Sequence, residues 1–157
     1  GEFQAAIEAF EEARGYYKRH KEIIHVARCD QKIAACLIEL GKGEEALDKA
    51  RIALDVFETA HDHRRQIFTL FEYAKALDLM GNFEEALETL DQVLTTASDE
   101  EPRDFEFILD IESRIAAILR RTDRVEEAVE IERRLGSVRA ILADEDGSHK
   151  SPQASDN

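Results

Sequence analysis

The sequence predicts an all-α fold built from repeated helix hairpins, and three observations carry that prediction. First, the string Gly81-Asn82-Phe83-Glu84-Glu85-Ala86-Leu87 recurs as Gly41-Lys42-Gly43-Glu44-Glu45-Ala46-Leu47, forty residues earlier. Weaker copies stand at Gly1 to Ile7 and, after a step of forty-two, at Asp123 to Val129. Self-similarity at such a period marks a stacked array, in which each unit buries its apolar face against the next. Second, the chain holds only two Pro, seven Gly and no Trp, and helices exclude Pro and tolerate Gly poorly. Third, apolar residues return at three- and four-residue steps, and strand-like alternation is missing.

The first helix is expected over residues 1–20, with Phe3, Ala6, Ile7, Phe10, Ala13 and Tyr17 on one stripe. No helix precedes it to take that stripe. Two readings stay open: the natural chain continues upstream, or the stripe meets a second chain. Three hairpins follow, at about 22–59, 66–97 and 104–143, for seven helices and about 3.5 repeats in a domain spanning 1–143.

In the first hairpin, Ile23, Val26, Ala27, Ile33, Ala34, Leu37 and Leu40 mark one helix, and Ala46, Ala50, Ala53 and Phe57 the next. Gly41 stops the former and Gly43 suits a tight turn. His61-Asp62-His63 reads as a short connection, and the fourth helix as Gln66 to Met80. Asn82 is placed to cap the fifth helix, with Glu85 three residues on completing a capping box. Pro102 suits the first turn of a sixth helix running to Arg121, and Asp123 is read as the cap of a seventh. Residues 144–157 lack large apolar side chains, so burial cannot offset their ordering entropy and they read as a disordered acidic and polar tail.

Composition narrows the function. A net charge of −14 argues against direct binding of nucleic acid, which needs an excess of Lys and Arg. No run of about eighteen apolar residues is present to cross a membrane. Cys29 and Cys36, about 10.5 Å apart along one helix, lie beyond disulfide reach and read as small buried side chains of a reduced, cytoplasmic protein. His61-Asp62-His63 offers two imidazoles without the further clustered ligands that a metal needs. No phosphate loop, nucleophile triad or isolated acid pair appears, so neither enzyme activity nor a cofactor is expected.

The small and apolar residues of the hairpins resemble a tetratricopeptide repeat. The family's first-helix pattern is met by Ile33-Ala34 with Leu37, Tyr73-Ala74 with Leu77, and Ile115-Ala116 with Leu119. Its second-helix pair appears as Ala6 with Phe10, Ala46 with Ala50, Ala86 with Leu90, and Ala128 with Glu132. The period, and the lack of a Pro ending each repeat, are similar to the long variety found in kinesin light chains and in some bacterial peptide-sensing regulators. Glu132, standing where an aromatic would pack, suits a terminal and partly solvated repeat.

The resemblance implies a right-handed superhelix whose first helices line a concave groove for a peptide or partner protein. It places Arg28, Gln31, Lys32, Ala35 and Ile38 on that groove, then Arg64, Arg65, Phe68, Phe71, Lys75 and Leu79, then Ser113, Arg114, Ala117 and Arg120. Lys32 and Arg114 fall where a carboxylate clamp has its cations, but Ala35 and Ala117 replace polar clamp positions. Charge separates the helices further. Acids crowd the second helices, and no Lys or Arg occurs from Gly81 to Pro102, while basic residues gather on the first helices. A basic groove favours an acidic ligand. The expected function is thus a non-catalytic interaction module, as part of a larger protein. The alternatives are a homodimer through Phe3, Phe10 and Tyr17, or a sensor segment of a larger regulator.

Overall fold

The computed structural model describes residues 1–99 and 102–148, with side chains described through residue 140. Those residues form α1 (Glu2–Arg19), α2 (Ile23–Glu39), α3 (Gly43–Thr59), α4 (His63–Leu79), α5 (Phe83–Asp99), α6 (Phe105–Arg121) and α7 (Val125–Ser148), with no strand among them. The chain divides into two compact units, Gly1–Ile111 and Glu112 onward, so that α6 begins in one and ends in the other.

Helices α2 to α5 start at Ile23, Gly43, His63 and Phe83, an even step of 20 residues. One turn geometry sets that step. After α2 the amide of Gly41 donates to the Ile38 carbonyl, and the amide of Lys42 reaches back to Leu37, both at 2.9 Å. This double closure requires a left-handed residue just past the helix. Gly41 and Gly81 supply it at φ 71° and 80°. Lys21, His61 and Asp123 adopt the same conformation at φ 59°, 55° and 64°, with a β-carbon that disfavours it.

Three expectations change here. Helix α4 starts at His63 rather than Gln66, because Asp62 is its cap: the Arg65 amide donates to Asp62 Oδ1 at 3.2 Å. Asp123 occupies the left-handed turn position and does not cap α7, which begins at Val125. The backbone of α7 continues to Ser148, past the boundary expected at 143; residues 149–157 of the expected tail lie outside the described residues.

Burial of Asp62 disfavours its charge, but the Arg65 amide and guanidinium outweigh it, so its carboxyl sits below the ordinary 3.8. Asp62→Ala should cost about 1 kcal/mol near neutral pH. A lowered carboxylate value means that this stability is present above 3.8 and lost as pH falls through the folded value. Urea titrations of both proteins should therefore differ at pH 7 and converge towards pH 2.

In the first unit the core is built from small residues that let helices approach closely. Ala34, Ala46, Ala50, Ala53, Ala74 and Ala86 are fully buried. One cluster joins Ile33, Leu37 and Ile38 of α2 to Ala46 of α3 and Ala76 of α4, and Ile7 and Phe10 of α1 pack onto it. A second joins Ala27 to Ala53 and Phe57. The helix expected to stand alone thus lies on α2, although none of its own residues is fully buried. In the second unit, Ala128 and Leu135 are buried among the described side chains of α7. There Glu132, in the place of an aromatic, accepts from Arg120 Nε and Nη2 at 2.6 and 2.5 Å.

Candidate functional site

The predicted groove residues of the first unit belong to α2 and α4, which pack against one another. On α2, Arg28 and Lys32 are exposed, while Gln31 and Ala35 are half-buried. On α4, Arg64 is exposed. None of Arg28, Lys32 and Arg64 has an ion-pair partner among the described residues, whereas most other cations of this unit do. Arg14 and Lys49 meet Asp30, Lys42 meets Glu45, Arg51 meets Asp48, Arg65 meets Asp62 and Lys75 meets Glu72. Arg65 is therefore committed to capping α4. Lys75 is likewise held, 3.1 Å from Glu72 and 5.6 Å from the centre of the Phe71 ring.

Phe68 and Phe71 are not free anchors. Both are half-buried and meet Phe107 of α6, at ring-centre distances of 4.5 and 5.3 Å, the latter edge-on. Such pairs pack the start of α6 on α4. Ile38 is buried in the core, and Leu79 is exposed at the end of α4.

Ser113, Arg114 and Ala117 belong to the second unit. Ser113 Oγ accepts from Arg139 Nη2 at 3.2 Å, Arg114 is half-buried and engaged, and Ala117 is exposed. Arg120 is exposed and committed to Glu132.

Of the stripe proposed for self-association, Phe10 and Tyr17 are half-covered by α2, with the Tyr17 ring stacked 4.8 Å from His25. Phe3 stays exposed. The His61 and His63 rings lie 6.5 Å apart. Among the described residues, no group of three or more His, Cys, Asp and Glu is placed to hold a metal. No helix among them is long and apolar enough to cross a membrane.

Sequence reasoning missed two features. Asp30 is completely buried at the junction of α1, α2 and α3, where Oδ1 lies 2.8 Å from Arg14 Nε and 3.1 Å from Lys49 Nζ. Lys49 Nζ also donates to Glu11 Oε1 at 2.8 Å. Burial lowers the Lys49 value, but bonds to Glu11 and Asp30 outweigh it and hold the ammonium above its ordinary 10.5. The second feature is a cavity of about 310 Å³ lined by Arg64, Ile67, Phe68, Ala97, Pro102, Asp104 and Phe107. It lies beside the connection between α5 and α6, where the step from one helix start to the next lengthens from 20 to 22 residues, and the step of forty-two was its sequence signal.

Residues 25–99 match the family model described as tetratricopeptide repeat. A Podosopora anserina protein described as carrying nearly identical TPR-like repeats of the kinesin light chain kind has the same fold. The TM-score is 0.71 at 21% identity, over 89% of this chain and 68% of that one. A point variant of that protein gives the same score and coverage at 20% identity. None of the curated proteins matches the sequence. Repeats of this kind are in general scaffolds for protein–protein interaction. Residues 25–99 thus match the tetratricopeptide repeat family, and the fold is that of TPR-like repeat arrays.

Proposed function

We propose that the chain is a non-catalytic interaction module, which holds an acidic segment of a partner protein on the surface formed by α2 and α4. The observation that carries this reading is the set of cations left unpaired there, Arg28, Lys32 and Arg64, in a chain of net charge −14. The acids cluster elsewhere, as Glu44, Glu45, Asp48, Asp55 and Glu58 on α3 and Glu84, Glu85, Glu88 and Asp91 on α5. An acidic partner is drawn to the first set and repelled by the second, which fixes orientation and speeds encounter. Gln31 and Ala35 leave polar and small contacts between the cations, as an extended segment requires.

Paired capture from a lysate of the source organism tests this. One bait is the wild-type chain, and the other carries Arg28→Glu, Lys32→Glu and Arg64→Glu, three exposed positions whose reversal leaves the core intact. The expected result is an acidic partner held by the first and lost by the second, with retention falling as salt rises from about 0.05 to 0.5 M. A partner held equally by both, or recovery of the chain alone, contradicts the reading.

A further inference from the structure

The cavity beside the α5–α6 connection carries a chemistry of its own. Its walls are Ile67, Phe68, Ala97 and Phe107, with the two rings 4.5 Å apart, and Pro102 closes one side. Two opposite charges line it as well, Arg64 and Asp104, and they form no ion pair with each other. Asp104 Oδ1 accepts from the Phe107 amide at 3.0 Å and so caps α6. Its second oxygen makes no bond with any described residue. Arg64 has no ion-pair partner among the described residues either. The volume is at the small end of ligand pockets, too small for a nucleotide and large enough for one apolar side chain with its polar end.

We propose that this cavity is a binding site for an apolar α-amino acid in its zwitterionic form. The side chain packs against the apolar wall formed by Ile67, Phe68, Ala97 and Phe107. The guanidinium of Arg64 takes the carboxylate, and the free oxygen of Asp104 takes the ammonium. Each charge of the cavity then gains the opposite charge that it lacks, and the apolar wall excludes polar amino acids, whose side chains would lose water without a partner. The site shares Arg64 with the proposed partner surface but needs no protein partner, so either reading can fail alone.

The test is a nuclear magnetic resonance titration of the isotope-labelled full chain with L-phenylalanine, following the Ile67 methyls and the Phe68 and Phe107 amides. Saturable shifts confined to the cavity are expected, with a Kd on the order of 1 mM, as suits so small a ligand. N-acetyl-L-phenylalanine lacks the ammonium and L-phenylalanine amide lacks the carboxylate; each should bind at least about tenfold more weakly. L-aspartate should give no saturable shift. Arg64→Gln should abolish the preference for the free carboxylate, and Asp104→Asn the preference for the free ammonium. Asparagine keeps the helix cap, so the second variant stays folded. An absence of saturation by 20 mM (about twenty times the expected Kd), equal binding of the blocked compounds, or shifts centred away from the cavity would each overturn the proposal.

Discussion

Gly43→Val is expected to lower the stability of the folded chain by about 3 kcal/mol, the upper part of the range for overpacking. A β-carbon at this position would lie 2.9 Å from Met80 Cγ, 3.2 Å from the Ala76 carbonyl oxygen and 3.2 Å from Leu79 Cβ. Met80 has a flexible side chain and can turn away, but the Ala76 carbonyl is helix backbone and cannot. The start of α3 would have to lift from the end of α4 and open the alanine-lined contact around Ala46 and Ala76. Gly136→Ala is the matched control. Nothing lies within 4 Å of a β-carbon there, so relief of glycine's poor helix propensity should raise stability by up to about 1 kcal/mol. Urea midpoints measure both. An unchanged midpoint for Gly43→Val would mean that α3 and α4 do not approach as closely as described.

The second large effect is expected at Asp30. Removing both of its cations with Arg14→Met and Lys49→Met leaves a fully buried carboxylate without compensation, which costs about 3–5 kcal/mol. Its Oδ2 already lacks a hydrogen-bond partner among the described residues, so nothing nearby is poised to substitute. Adding Asp30→Leu should restore most of the loss, because an apolar side chain of the same branched shape suits the site once the charges are gone and the two methionines can adjust. The restoration separates the cost of a stranded charge from the cost of lost packing. Two single losses that simply add, with no recovery in the triple variant, would contradict the account. Lys49 makes the pH sign plain: its raised value means that its contribution is present below 10.5 and is lost only as pH rises through the higher folded value.

The helices were legible because they rest on local signals, whereas the seating of α1 on α2 was not. Gly41 and Gly81 announce two of the left-handed turns, and Ile33-Ala34 with Leu37 announces a close-packed face. The remaining turns were harder, since Lys21, His61 and Asp123 reach the same conformation without glycine. That is why the start of α4 was placed late and Asp123 was read as a cap. Gly43 reads as a turn residue in the sequence, but it is the first residue of α3, and its reason is the close approach of Ala76, Leu79 and Met80. The candidate site was legible as a charge pattern only. Which cations are spent on neighbours, as Arg65 is on Asp62 and Lys75 on Glu72, depends on side-chain geometry that no spacing reveals. Phe68 and Phe71 fall on the groove by their spacing, but spacing does not show that Phe107 packs against them.

The most direct test of the proposed partner surface is hydrogen exchange of the chain, free and bound to its captured partner, resolved by segment. Added protection should fall on residues 23–39 and 63–79, the two helices that carry Arg28, Lys32 and Arg64, and leave 43–59 and 83–99 unchanged. Protection centred on α3 and α5, or confined to α1, would contradict it and move the contact to the acidic helices or to the Phe3 end of the chain.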